Sequence, residues 1–147
     1  MRQLNRTESV LYMIGGILLA IGAGFYAFLL YQPFMCWVML VGACLFVAMQ
    51  ARQRYEGQSV TIRRLRRIMF LAQACFVIAG LFMVEDSYHL LLPVFAKSIS
   101  GYTTYVNVFH HNWVVALLIG AALELYTTHR IGYELKKEVS NAEKTLK

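Results

Sequence analysis

Charged side chains are scarce in this sequence. Asp, Glu, Lys and Arg make up 15% of its 147 residues, whereas hydrophobic residues make up 59%. Soluble domains usually carry about 25% charged residues. Because water cannot solvate so apolar a surface, the composition argues against an ordinary soluble protein and favours one whose surface faces lipid. The length fits a single domain, residues 1–147.

Cysteine is also scarce, and motifs of enzyme chemistry are missing. Cys36, Cys44 and Cys75 form no CxxC pair, so the sequence predicts neither a disulfide framework nor a zinc knuckle. We interpret all three as small hydrophobic residues. The sequence contains no HExxH motif, no phosphate-binding loop and no recognisable nucleophile–base pair. We therefore predict that the protein is not an enzyme.

Four long apolar runs are present instead. A hydrocarbon core about 30 Å thick needs about 20 helical residues to cross it, and the chain must be helical there because lipid offers backbone groups no partner. The sequence thus predicts an all-α integral membrane protein, a bundle of four transmembrane helices. The first run is too long for the core of a cleaved signal peptide. The predicted spans are residues 10–31, 34–51, 68–84 and 113–128, and a tail follows over 129–147.

The basic residues predict the orientation of these spans. Of the 14 lysines and arginines, all but Lys97 lie before the first span, between the second and third, or after the fourth. Basic loops stay on the cytoplasmic side, so we predict that both termini are cytoplasmic and that the long segment 85–112 is external. The short chain indicates a bacterial cytoplasmic, or inner, membrane.

The densest basic cluster lies just before the third span. Because it adjoins a span, we interpret it as contacting anionic lipid headgroups rather than nucleic acid. Its members are Arg63, Arg64, Arg66 and Arg67.

The tail has an apolar stripe with three- and four-residue spacing. This spacing predicts an amphipathic cytoplasmic helix that rests on the membrane or docks a protein partner. A solvated extension of the fourth span explains the pattern equally well. The stripe consists of Ile131, Leu135, Val139, Ala142 and Leu146.

Glu124 is the ionisable residue inside a span. Such residues are costly in lipid and often functional. Ala116 and Gly120 precede it at four-residue spacing, which predicts that this face packs inside the bundle. We favour a structural pairing of Glu124 with an arginine at the base of the bundle, and the alternative is a proton or cation site. The candidate arginines are Arg63, Arg66, Arg67 and Arg130.

Small residues recur along the first span as well. Gly16, Ala20 and Gly24 follow the small-xxx-small pattern of close helix contacts. The pattern fits packing within the chain, which we favour, or a homodimer.

A polar cluster is predicted at the external ends of spans three and four. It contains Glu85, Asp86, His89, His110 and His111. Histidines with a carboxylate can bind a transition metal, and paired histidines can bind haem. Polar residues at span ends are common, so we favour ordinary interfacial side chains. The candidate metal ligands are His89, His110, His111 and Glu85.

The sequence favours a small multi-pass membrane protein with a structural or accessory role, a basic cytoplasmic face and no cofactor. Two alternatives stay open. One is a metal- or haem-binding redox protein that uses the external histidines, and the other is a small proton-coupled transporter that uses Glu124.

Overall fold

The computed structural model describes residues 5–53 and 59–145, and every regular element within them is helical. The predicted all-α fold is therefore confirmed. Arg2, Arg54, Leu146 and Lys147, which contribute to the patterns above, lie outside the described residues. The helices are α1 (Arg6–Ala27), α2 (Gln32–Arg52), α3 (Val60–Tyr88), α4 (Leu92–Phe95), α5 (Ile99–Phe109) and α6 (Trp113–Thr145).

Local sequence signals fix where the long helices begin. The Glu8 carboxylate accepts a hydrogen bond of 3.1 Å from the Asn5 backbone N–H at the start of α1. Pro33 lies in the first turn of α2, where its missing N–H costs nothing. The Ser59 hydroxyl accepts a bond of 3.5 Å from the Ile62 N–H at the start of α3. Each residue satisfies or removes a backbone donor that a helix start leaves unpaired.

Four helical stretches are long and apolar enough to cross a membrane, by length and composition: α1, α2, α3 and a fourth within Ile99–Thr145. Their outward faces carry large apolar side chains; Leu125, for example, is 74% exposed. A soluble monomer rarely exposes so much apolar surface. Such a surface suits a helical bundle in lipid.

The four long helices pack in chain order, α1 along α2, α2 on α3 and α3 on α6. The bundle therefore has two ends, which differ in their residues. We call one the basic end, where the Arg52 guanidinium lies 2.9 Å from the Glu8 carboxylate and Ile131 packs against the start of α3. We call the other the histidine end, where His89, His110 and His111 lie beyond α3 and before α6.

The close contact between α1 and α2 uses glycines other than the predicted ones. A Cβ atom at Gly22 would lie 2.6 Å from the Met39 backbone nitrogen, and one at Gly42 would lie 2.5 Å from that of Leu19. Two residues of the predicted stripe do not make this contact. Ala20 is exposed, and a Cβ at Gly24 would meet nothing within 4 Å.

Three of the predicted packing residues do lie at helix contacts. A Cβ at Gly120 would lie 3.1 Å from the Ala72 carbonyl oxygen of α3. Ala116 is partly buried against the core near the histidine end. Gly16, from the first stripe, faces the Phe46 ring at 3.6 Å. Gly120 is thus buried and Ala116 partly buried, whereas Ala20 of the first stripe is exposed.

The tail is a direct continuation of the fourth span. Helix α6 runs without a break from Trp113 to Thr145. Ile131 is buried with Ile62, Leu65 and Met69 of α3, and Leu135 packs partly against this cluster. The apolar stripe therefore has two parts. Ile131 and Leu135 belong to the bundle, whereas Val139 and Ala142 are exposed beyond it.

The long connection between α3 and α6 contains a helix that the sequence did not predict. The Ser98 hydroxyl caps α5 by accepting a bond of 3.0 Å from the Gly101 N–H. Tyr105 and Phe109 on α5 pack ring against ring, 5.2 Å between centroids, and Phe109 also meets Phe82 of α3 at 5.4 Å. These aromatic contacts hold α5 against the end of α3.

Candidate functional sites

Two polar clusters occur in the described residues, one inside the bundle near the basic end and one at the histidine end. In the first, near the basic end, the Gln50 side-chain amide donates a hydrogen bond of 2.6 Å to a Glu124 carboxylate oxygen. The same amide nitrogen lies 3.0 Å from the Met69 sulfur. This contact joins α2 to α6 beside α3. We call these residues, with Gln73 one turn after Met69, the glutamine–glutamate cluster.

The partner of Glu124 differs from the predicted one. An arginine was expected, but the described partner is Gln50. Arg130 instead pairs with Glu134 at 3.1 Å on its own helix and lies over the Tyr133 ring. The physical reason is depth. Glu124 lies within the bundle, where a neutral amide is far cheaper to bury than a guanidinium.

Three oxygens of this cluster have no hydrogen-bond partner among the described residues. They are Gln50 Oε1, Gln73 Oε1 and Glu124 Oε2, and all three are buried. Buried polar atoms almost always have partners. A buried acceptor without a donor suits a proton, a cation or an ordered water as its partner. One carboxylate oxygen of Glu124 could therefore accept a further partner. The predicted ion pair with an arginine would have occupied this oxygen.

An apolar layer separates this cluster from the histidine end. Met39 of α2 and Ala79 and Met83 of α3 are fully buried there. They pack with Tyr26 and Trp113 in one core. In the described part of the chain, the buried side chains of this layer thus offer no polar relay between the two ends.

The second cluster is centred on Asp86, near the end of α3. One Asp86 carboxylate oxygen lies 3.2 Å from His110 Nδ1, and the other lies 3.9 Å from His111 Nδ1. The Tyr26 hydroxyl donates a bond of 3.2 Å to the second oxygen. The His110 and His111 ring centroids are 3.8 Å apart. We call Asp86, His110 and His111 the Asp–His–His cluster.

Glu85 has a different role from the predicted one. One of its carboxylate oxygens accepts bonds of 2.8 Å from the Leu91 N–H and from the Tyr105 hydroxyl. It is buried and closes the turn after α3. The carboxylate next to the two histidines is therefore that of Asp86, because the following residue of a helix points about 100° away.

His89 lies close to the Asp–His–His cluster without belonging to it. It caps the end of α3 with a left-handed backbone, φ 52°, and its Nδ1 lies 3.3 Å from the Tyr105 hydroxyl. It lines a cavity of about 260 Å³ with Asp86 and His110. Of the four predicted ligands, the structure brings together His110 and His111, places His89 beside them and ties Glu85 elsewhere.

The predicted lipid-contact arginines lie at the basic end, in the first two turns of α3. The side chains of Arg63, Arg64 and Arg67 are exposed, and that of Arg66 is partly buried. Ile62 and Leu65 between them are buried against α6. The start of α3 thus has one apolar face in the bundle and one basic face outside it.

The geometry defines a class: an all-helical bundle with four helices apolar enough for a membrane and one polar cluster near each end. Comparison with protein families, with curated proteins and with solved structures gives no match for this chain.

Proposed function

We propose that this is a small non-enzymatic membrane protein with an accessory role, which presents a basic, partner-docking face on the cytoplasmic side of a bacterial inner membrane. One observation carries the proposal. In residues 5–53 and 59–145, every lysine and arginine except Lys97 belongs to the basic end. Such an asymmetry is the main determinant of membrane orientation. It supports an orientation with both termini in the cytoplasm.

Contact with anionic lipid follows from the basic face of α3. Arg64 and Arg67 are exposed where α3 leaves the bundle, at the level where phospholipid headgroups lie in the proposed orientation. Each basic residue near an anionic surface contributes about 1 kcal/mol of attraction. The face then anchors the bundle at a fixed depth.

The proposed docking element is the free part of α6. At 1.5 Å per residue, its 33 residues extend about 50 Å, well beyond a hydrocarbon core about 30 Å thick. Val139 is 60% exposed on this projecting part, and Lys136 and Lys137 lie beside it. An exposed apolar residue among charges on a projecting helix is suited to bind in an apolar groove of a protein partner.

Cysteine accessibility tests the orientation. In a chain whose native cysteines are replaced by alanine, Ser140→Cys marks the basic end and Ser100→Cys the histidine end. A membrane-impermeant maleimide added to intact cells is expected to label Ser100→Cys, and to label Ser140→Cys only after lysis. The reverse pattern would overturn the orientation.

Crosslinking tests the docking role. A photoreactive residue at position 139 is expected to trap one recurrent partner in cells, whereas the same residue at lipid-facing position 118 is not. A chain that ends at residue 137 serves as a control without the docking element. It keeps Ile131 and Leu135, because both pack on α3. If the adducts of positions 139 and 118 are the same, the docking role is rejected.

A second candidate function rests on the three unpartnered oxygens of the glutamine–glutamate cluster. A buried carboxylate with unpaired acceptors around it suits a proton or cation site, as in a small proton-coupled transporter. The apolar layer toward the histidine end counts against a continuous path. The test is proton flux into proteoliposomes loaded with a pH-sensitive dye. A flux abolished by Glu124→Gln and kept by Glu134→Gln supports this function, and no flux with the unaltered protein rejects it.

A further inference from the structure

The Asp–His–His cluster at the histidine end indicates a binding site that the accessory role proposed above does not include. We propose that Asp86, His110 and His111 bind one divalent transition-metal ion of the zinc or copper type. The three donor atoms lie within 4.8 Å of one another. Two of them come from the turn before α6 and one from α3, so ion binding would tie the two helices together.

The separations are close to those that a bound ion requires. Zinc binds imidazole nitrogen and carboxylate oxygen at about 2.0 to 2.2 Å, which in a tetrahedral site places donor atoms about 3.4 Å apart. The structure has 3.2 Å from one Asp86 carboxylate oxygen to His110 Nδ1 and 3.9 Å from the other carboxylate oxygen to His111 Nδ1. Both imidazoles are largely exposed, so small side-chain rotations complete the geometry without moving the helices.

The carboxylate is held in place by the bundle itself. The Asp86 side chain is only 8% exposed, and the Tyr26 hydroxyl donates to one of its oxygens at 3.2 Å. Tyr26 is in turn buried and packs edge-on against Trp113 at 5.1 Å between centroids. Metal-binding carboxylates characteristically have such hydrogen-bonded outer support. Helices α1, α3 and α6 thus fix one ligand before any ion arrives.

The turn that carries the histidines is independently unusual. His111 has φ 59°, a left-handed conformation that is uncommon for residues other than glycine, although histidine adopts it more readily than most. The Asn112 amide donates to the Asn107 and Val108 carbonyl oxygens at 2.6 and 2.9 Å and so closes the end of α5 around this turn. Backbone held in a sparsely populated conformation concentrates at functional sites. Here it directs two neighbouring imidazoles to the same carboxylate.

The donor set selects the kind of ion. Two imidazole nitrogens and one carboxylate oxygen suit zinc and copper, whereas magnesium and calcium prefer oxygen ligands alone. Three protein ligands leave at least one position for water. Haem does not fit, because two axial histidines must approach from opposite faces of the ring, while the His110 and His111 rings lie side by side, 3.8 Å apart.

Titration of the full chain tests the site. Zinc is added to protein purified in mild detergent without a polyhistidine tag, and binding is followed by calorimetry with magnesium as the negative control. One zinc per chain is expected. Asp86→Asn and the double variant His110→Gln/His111→Gln are expected to bind at least about 100-fold more weakly. His129→Gln, an exposed histidine on α6 near the basic end, is the matched control and should bind as the unaltered chain does.

The site is rejected if the unaltered chain binds zinc no more tightly than the double variant, or if His129→Gln weakens binding as much. A second measurement needs no variant and so does not depend on folding of the altered chains. Electron paramagnetic resonance of the unaltered protein with one equivalent of Cu²⁺ should show coupling to two nitrogen nuclei. A spectrum without nitrogen coupling would overturn the proposal.

Discussion

The side-chain amide of Gln50 donates a hydrogen bond of 2.6 Å to the carboxylate of Glu124, and this bond joins α2 to α6 inside the bundle. It gives Glu124 an uncharged partner. The consequences for stability therefore differ from those of an ion pair, and they can be measured by substitution.

Substitution of Glu124 by glutamine is expected to change stability little, because the new amide oxygen still accepts the bond from Gln50. Glu124→Leu removes the acceptor, and the loss should be about 0.6 to 1.7 kcal/mol, the usual range for hydrogen bonds between membrane helices. Unfolding in detergent measures both. A double-mutant cycle with Gln50→Leu should show coupling, and strictly additive effects would contradict the contact.

Alanine substitution of two glycines on the same helix is expected to have opposite effects. At Gly22 the new methyl would lie 2.6 Å from the Met39 backbone nitrogen, so α1 and α2 must move apart at a cost of about 1 to 3 kcal/mol. At Gly24 it meets nothing within 4 Å, and the change should be neutral or stabilise by up to about 1 kcal/mol. Thermal unfolding of both variants in one detergent measures the difference. Equal destabilisation by the two substitutions would contradict the α1–α2 contact.

The two parts of the α6 stripe should respond differently to truncation of a side chain. Ile131 is 5% exposed and packs against Ile62 and Leu65, so Ile131→Ala should cost about 2 kcal/mol or more. Val139 is 60% exposed, and Val139→Ala should leave the free energy of unfolding within about 0.5 kcal/mol. Denaturant unfolding of the purified chain checks both values. A large loss at Val139 would show that the tail folds back on the bundle.

Removal of the Tyr26 hydroxyl should loosen the histidine end. The hydroxyl contacts the Met83 carbonyl oxygen, the Asp86 carboxylate and the Ser87 hydroxyl, each at 3.2 Å. After Tyr26→Phe the Asp86 carboxylate keeps its contacts with His110 and His111. The loss should therefore be about 0.5 to 1.5 kcal/mol, the net contribution of a typical hydrogen bond. Tyr102→Phe, at an exposed position on α5, is the control and should change little. Thermal unfolding of both variants and of the unaltered chain measures the difference. Equal stability of Tyr26→Phe and the unaltered chain would contradict the role of this hydroxyl.

The sequence predicted the helical class because long apolar runs have few alternatives. Spans 10–31 and 34–51 correspond to α1 and α2 within a few residues. Capping by Ser59 and the position of Pro33 depend only on neighbouring residues. The α5 helix was not predicted, because aromatic contacts with Phe82 and Phe95 support it, and contacts distant in the chain leave no periodic signal.

The candidate sites depended on rotation of one helix relative to another, which a single sequence does not encode. Glu85 and Asp86 are adjacent and chemically alike, yet only Asp86 faces the histidines. In the same way Gly22 rather than Gly24 faces α2. Gln50 and Glu124 are 74 positions apart, so no local pattern pairs them. In each case the residue type indicated that a contact was to be expected. Only the packed bundle shows which residue is the partner in that contact.

Helix α6 begins beside the histidine turn and ends in the free tail without interruption. Trp113 near its start is buried in one core, and Ile131 near the basic end is buried in the other. A displacement of α6 at one of these contacts would therefore be transmitted along a continuous helix to the other.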